Sequence, residues 1–206
     1  DFAPDGSVYA LAWGLSYSMP NSGRIYRVFD PESRGSRDDE AHPNSLSVKN
    51  LLADGMKKRS VEELAKLLGH ADQRVRMDAQ FELVARTFAS TSQNSFPQRA
   101  EREINLLVQI SKSSKSPSAR LQAIMALGQI GQKFPHILER LLSVKSSVDA
   151  EILAQTIHVL GDGKSAKIST VIEKFLSHPS PRVRFFAAMS LGKLKSKKSI
   201  PSLLEM

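Results

Sequence analysis

The sequence predicts a mainly α-helical solenoid, in which pairs of helices stack into a superhelix, preceded by a short N-terminal β segment. The main observation is a repeat, because segments 70–86, 116–132 and 178–194 carry nearly the same pattern and 148–163 carries a looser copy. On one frame the copies align four small residues and four leucines: Ala79, Ala123, Thr156 and Ala187, and Leu83, Leu127, Leu160 and Leu191. The copies are therefore 44, 33 and 31 residues apart. A helical period in this range is typical of a solenoid rather than of one globular core.

The second observation is that the first 30 residues differ from the rest and read as strands. Residues 7–13 follow a turn-like Pro-Asp-Gly, and residues 24–29 are rich in β-branched and aromatic side chains, with a loop at 14–23 between them. Two strands are not stable alone, so we expect them to end a larger sheet or to pack against the helices. The predicted domains are this β-hairpin-like remnant at 1–30, a polar linker at 31–45 and helical repeats at 46–206.

The helices are predicted from their periodicity and their end signals. A short helix covers 46–55, and Ser60 with Glu63 forms a capping box that opens the next helix, which Gly69 closes. Helix 73–86 follows, and then a polar loop at 90–95. Helix pairs are predicted at 99–112 with 117–131, 134–143 with 148–160, and 165–177 with 180–194, before a last helix near Ser199.

Prolines and glycines punctuate these helices. Prolines are expected at helix starts: Pro117, Pro135, Pro179 and Pro181. Glycines are expected at or near helix ends: Gly128, Gly131, Gly161, Gly163 and Gly192.

Composition narrows the classes of function. The absence of cysteine excludes disulfides, thiolate zinc sites, cysteine nucleophiles and covalent haem attachment within these residues. No apolar run reaches 18 residues, so no transmembrane helix is expected. No targeting signal is visible, and a start without Met and an end inside a helical pattern predict a fragment of a longer protein.

The net charge of +8 is uneven, with a balance of −2 over residues 1–50 and +10 over residues 51–206. A basic solenoid attracts nucleic acid, anionic lipid or an acidic protein, or it simply has a lysine-rich solvated surface. The arginines at the heads of the repeats either pair with nearby acids and turn carbonyls or form a basic ladder. The last copy has no acid close by in sequence, which makes its arginines the best binding candidates. The candidate partner-binding residues are Arg74, Arg76, Arg120, Arg182, Arg184, Lys193, Lys195, Lys197 and Lys198.

No catalytic, cofactor-binding or metal site is predicted. The five histidines, His42, His70, His136, His158 and His178, lack a second ligand at metal-binding spacing. His70 and His178 occupy the same repeat position, in the turn before a helix, which favours a structural role. The segment 161–165 resembles a phosphate loop only briefly, because it lacks the required spacing and a preceding strand.

The helical part resembles HEAT repeats. Asp72 to Arg76 and Ser180 to Arg184 carry the D-x-x-V-R pattern before an alanine and a leucine, although Ser180 departs from the usual Asp. The resemblance covers roughly residues 60–206 and implies a superhelix of paired helices.

The N-terminal part resembles the closing blade of a β-propeller. Residues 2–9, F-A-P-D-G-S-V-Y, followed by Trp13-Gly14 and by residues 23–28, are similar to the turn of glucose/sorbosone dehydrogenase-like propellers. A propeller followed by such repeats is similar to exported, membrane-bound-dehydrogenase-like proteins of planctomycete-type bacteria, often with a C-terminal cytochrome c domain. The resemblance implies a periplasmic or exported parent, linked to quinone or haem. Most of such a propeller lies outside this sequence, so its quinone and calcium ligands cannot be placed here, and no C-x-x-C-H motif occurs that would carry over a haem site.

Three functional hypotheses follow. The first is a non-catalytic scaffold that docks a protein partner or the neighbouring domains of its own polypeptide. The alternative is a basic superhelix that binds nucleic acid or another polyanion, with binding that weakens as salt rises. The third, an enzyme such as a HEAT-like glycosylase or lyase, lacks an acid–base pair in the sequence. We expect the first.

Overall fold

The computed structural model describes residues 8–12, 24–28, 43–89, 100–142, 149–163 and 165–205 of the 206-residue chain. The chain divides into two compact units, Asp1–Gly55 and Met56–Met206. The first unit contains strands β1 (Val8–Ala12) and β2 (Arg24–Val28) and helix α1 (Pro43–Asp54). The strands pair antiparallel, with Val8 opposite Val28. The predicted N-terminal β segment is therefore confirmed.

The second unit is a succession of helices. They are α2 (Val61–Leu67), α3 (Gln73–Ala89), α4 (Glu101–Ser113), α5 (Pro117–Lys133), a 3₁₀ helix (Pro135–Leu141), α6 (Ala150–Leu160), α7 (Ala166–Glu173), α8 (Pro181–Lys193), a second 3₁₀ helix (Lys197–Ser199) and α9 (Ile200–Leu204). Helix α3 packs on α5, α5 on α6, and α6 on α8, so the second helices of successive pairs form one row, which we call the B row. This stacking confirms the predicted mainly α-helical solenoid.

The repeated small residues and leucines form the contacts of the B row. All eight are buried, with no more than 2% of any of them exposed. The leucine follows the small residue by four positions, which places both on one face of the helix. Where the frame holds Thr156 instead of alanine, its hydroxyl donates a hydrogen bond to the Ile152 carbonyl at 2.8 Å. The polar group is thus satisfied inside the core.

Helix starts follow the local signals in the sequence. The Ser60 hydroxyl accepts the Glu63 N–H at 3.2 Å, and the Glu63 carboxylate accepts the Ser60 N–H at 2.7 Å, so the capping box is confirmed. Pro117 and Pro181 are the first residues of α5 and α8. Pro179 instead lies in the turn before α8.

Some predicted boundaries are wrong. Gly128 lies inside α5 rather than at its end, whereas Gly131 lies two residues before the end, as expected. A Cβ at Gly128 would lie 3.0 Å from Val159, and a Cβ at Gly131 would lie 2.5 Å from Leu138. Both glycines therefore permit close packing. Pro135–Leu141 is a 3₁₀ helix, and α7 ends at Glu173, four residues early. The predicted loops at 14–23 and 90–95 lie outside the described residues, and so do residues 31–42 of the predicted linker.

Candidate functional site

The turns before α3 and α8 are built in the same way from residues that the sequence singled out. The His70 Nδ1 atom accepts the Asp72 N–H at 3.0 Å, and the His178 Nδ1 atom accepts the Ser180 N–H at 3.1 Å. An Nδ1 atom that accepts this bond carries no proton of its own. The two histidines thus hold the backbone of the turns.

Arg76 and Arg184 close the same two turns. The Arg76 Nη1 atom donates to the carbonyls of His70 and Ala71 at 2.7 and 2.6 Å. The Arg184 Nη1 atom donates to the His178 and Pro179 carbonyls, both at 3.0 Å. These turn carbonyls lack helical partners, so the guanidinium groups supply the missing donors.

Arg74 and Arg182 occupy equivalent repeat positions but form ion pairs with different acids. Arg74 pairs with Asp72 in its own turn at 2.7 Å, and this hydrogen bonding lowers the pKa of the Asp72 carboxyl to about 2. Ser180 replaces that acid in the last copy, and Arg182 pairs instead with Glu151 of α6, Nη2 to Oε1 at 2.8 Å. Hydrogen bonding from Arg182 lowers the pKa of Glu151. The sequence shows no acid near Arg182 because Glu151 arrives from the preceding repeat.

Arg120, the fifth candidate arginine, donates from Nε to the Ser111 carbonyl at 3.0 Å. All five arginines therefore contact acids or carbonyls within the chain. These contacts agree with the first of the two alternatives predicted from the sequence, in which the arginines pair with acids and turn carbonyls. Their use in binding a partner stays a prediction.

A row of exposed apolar side chains, which we call the apolar face, runs over three helices of the B row. Its residues are Met77 and Phe81 on α3, Met125 on α5, and Phe185 and Met189 on α8, each 36 to 57% exposed. Each lies two positions before or after the buried small residue of its repeat, and so on the opposite side of the helix. In α6 the matching position is His158, whose ring stacks on Phe186 at 5.0 Å. Sequence reasoning missed this face, although apolar residues at matching repeat positions could have revealed it.

The four candidate lysines converge where α8 ends. A cavity of about 440 Å³, which we call the lysine cavity, lies between this end and the start of α7. Its lining residues are Gly163, Ser165, Ser169, Lys193, Leu194, Lys195, Ser196, Lys197 and Lys198. The Lys193 ammonium contacts the Asp162 carboxylate at 3.0 Å. The structure thus brings together the predicted lysines, and none of the five candidate arginines lines the cavity.

The described ranges include no group of three or more histidine, aspartate or glutamate side chains placed to hold a metal ion. None of the helices within them has both the length and the apolar character needed to cross a membrane.

Comparison with known proteins identifies part of the repeat array. Residues 134–206 match the family model of HEAT repeats. A comparison with curated proteins gives no match. The predicted HEAT resemblance is thus confirmed for 134–206, from the 3₁₀ helix at Pro135–Leu141 to α9. The helices before it stack on α5 and α6 in the same succession.

Proposed function

We propose that this chain is a non-catalytic protein-interaction scaffold, and that the apolar face is its docking surface. The observation that carries the proposal is the exposure of large Met and Phe side chains at matching positions of α3, α5 and α8, three of the four helices of the B row. Single exposed apolar residues are common on protein surfaces, whereas several that share one face of a protein indicate an interaction site. Met side chains adapt to varied partners because they are flexible and polarisable. HEAT repeats, which cover 134–206, commonly mediate protein interactions.

The expected partner is an amphipathic helix or extended segment with acidic flanks. Its apolar side chains would cover the Met and Phe row, as in helix-in-groove recognition. The acidic flanks are inferred from the charge of +10 carried by residues 51–206. Opposite charge around an apolar contact speeds association and fixes its register.

The scaffold proposal is tested by a comparison of three purified proteins. The wild type, a double variant Phe185→Ser and Met189→Ser, and a control Leu204→Ser are each used to capture proteins from extract of the source cells. Leu204 is a suitable control because it is 83% exposed and lies outside the apolar face. We expect a partner that the wild type and control retain, that the double variant loses, and that rebinds in pure form. Equal rebinding to all three proteins would refute the apolar face as the docking surface.

A finer proposal places this scaffold in a larger exported, dehydrogenase-like redox protein of the periplasm. Its support is the resemblance of the N-terminal residues to a propeller blade and the exposure of apolar side chains on the strand pair, with Leu11 at 80% and Ile25 at 70%. Two strands with such faces need further strands, or a helix packed against them, to bury these side chains, and a propeller blade would supply the strands. Reading the full open reading frame tests this: a complete propeller upstream and C-x-x-C-H downstream are expected. A parent with neither would refute the redox proposal and leave the scaffold proposal intact.

The second candidate function is polyanion binding by the basic superhelix. The lysine cavity supports this function. The arginines at the heads of the repeats support it less, because their guanidinium groups already form hydrogen bonds within the chain. Fluorescence anisotropy with a short single-stranded oligonucleotide at rising salt tests this function. Affinity that falls steeply with salt is expected, and undetectable binding at low salt would refute it.

A further inference from the structure

We propose that the lysine cavity binds a ligand that carries more than one phosphate group. Its lining residues include four lysines and three serines, Ser165, Ser169 and Ser196. Ammonium and hydroxyl groups are donors that suit phosphate oxygens. A volume of about 440 Å³ lies in the range of small-molecule sites and exceeds the volume of one phosphate group several times.

The positive charges of the lysines that line the cavity favour the binding of an anion. Within the described part of the chain, only Lys193 among the four lysines has an acidic partner, which is Asp162. Lys195, Lys197 and Lys198 are exposed and crowded within four residues of sequence, so their charges repel one another. A ligand with several negative charges relieves this repulsion, whereas a single carboxylate would leave most of the positive charge unbalanced.

The backbone of Lys195 gives an independent indication. Its φ is 52°, in the left-handed region, and it is the one non-glycine residue with positive φ among the described residues. The Lys195 N–H bonds the Gly192 carbonyl at 3.0 Å and the Ser196 N–H bonds the Leu191 carbonyl at 3.1 Å. This is a Schellman motif, whose left-handed position is usually glycine. A non-glycine residue in the left-handed conformation is strained, and such strain is often found at functional sites. We therefore infer that the Lys195 side chain has a functional role.

The serine hydroxyls complete the donor set. The Ser165 hydroxyl oxygen accepts the Lys167 N–H at 3.3 Å, which leaves its own proton available to donate. Ser196 and Ser199 share a hydrogen bond of 2.9 Å, which fixes the Ser196 side chain beside the lysines. The cavity thus presents donors from both the start of α7 and the end of α8.

The variant Lys195→Gly tests this site without weakening the fold. Glycine removes the ammonium group and also removes the steric penalty of the left-handed conformation. We expect a protein at least as stable as the wild type that binds tripolyphosphate about tenfold more weakly by isothermal titration calorimetry. The matched control is Lys112→Ala, which removes one exposed lysine from α4 and is expected to leave binding unchanged.

Three further ligands complete the test. Citrate matches tripolyphosphate in multiple charge but carries carboxylates, and orthophosphate carries a single phosphate, so both are expected to bind more weakly. A short oligonucleotide separates the sources: if Lys195→Gly weakens its binding too, the phosphate is supplied by a nucleic acid strand, and otherwise by a small molecule. Tripolyphosphate that binds no tighter than citrate, or equally to wild type and Lys195→Gly, would overturn the proposal. The inference does not rest on the apolar face, so Lys195→Gly should capture protein partners as the wild type does.

Discussion

At the scale of single residues, two glycines on neighbouring helices have opposite roles. A Cβ at Gly161 would lie 2.6 Å from the Ser190 Oγ atom and 2.9 Å from the Ser190 Cα atom. A Cβ at Gly192 would meet nothing within 4 Å, and Gly192 lies in the last turn of α8. Glycine is therefore required where α6 meets α8, and it only weakens the helix at position 192.

This contrast predicts opposite effects of alanine. Gly161→Ala should lower the free energy of unfolding by about 1–3 kcal/mol, because the backbone of α8 must move. Gly192→Ala should raise it by up to about 1 kcal/mol, because alanine favours the helix. Urea unfolding followed by circular dichroism measures both. A stabilising Gly161→Ala would show that the two helices do not approach as closely as described.

Asp72 makes stability depend on pH in a defined window. Hydrogen bonding from Arg74 lowers its pKa from 3.8 to about 2 in the folded protein. The stabilisation is therefore complete above about pH 4 and is lost as the pH falls through about 2. Asp72→Asn should thus be less stable than the wild type at pH 5, and the difference should shrink steadily towards pH 2. Thermal unfolding across this range tests the window, and a difference that stays constant with pH would contradict it.

At the scale of helices, one repeat position supplies the residue before each B-row helix. These residues are Asp72, Ser116, Asp149 and Ser180. The Asp149 carboxylate accepts the N–H groups of Glu151 and Ile152 at 2.9 and 3.3 Å, whereas the Ser180 side chain makes no capping bond. The start of α8 is therefore the least satisfied of the four.

The difference predicts unequal effects of the same substitution. Asp149→Ala should destabilise the protein by about 1 kcal/mol, because it removes a cap that satisfies two N–H groups. Ser180→Ala should change stability by less than about 0.5 kcal/mol, since no side-chain cap is lost. Urea unfolding of both variants provides the comparison. Equal losses would mean that Ser180 caps α8 in solution.

The features of this structure that could be predicted from the sequence are those set by residues close together in the chain. The capping box at Ser60, the prolines that open α5 and α8, and the burial of the repeated leucines follow from short-range patterns. The position of Gly128 inside α5 could not be predicted, because the neighbour that requires a glycine there, Val159, comes from another helix. The Glu151 partner of Arg182 was invisible for the same reason, because the two residues are 31 positions apart. The lysine cluster was predicted from its spacing, but its cavity needs Ser165 and Ser169 from another turn.

At the scale of the second unit, the stacking makes each repeat depend mainly on its neighbours. Helix α8 packs on α6 and α7, and α6 packs on α5 and the 3₁₀ helix Pro135–Leu141. In such an array, stability is close to a sum of repeat and interface terms. A local defect should therefore loosen its own repeat first and distant repeats least.

Leu191→Ala tests this expectation. Leu191 is 1% exposed in the contacts of α8, so its truncation should cost about 2–5 kcal/mol in that region. Hydrogen exchange followed by mass spectrometry should show faster exchange in α6, α7 and α8 and little change in α2 and α3. The reciprocal control is Leu83→Ala in α3, which should loosen α2 and α3 and spare α8. Faster exchange spread evenly from α2 to α8 in either variant would mean that the unit unfolds as one cooperative core, because only then would a defect in one repeat be felt equally in all.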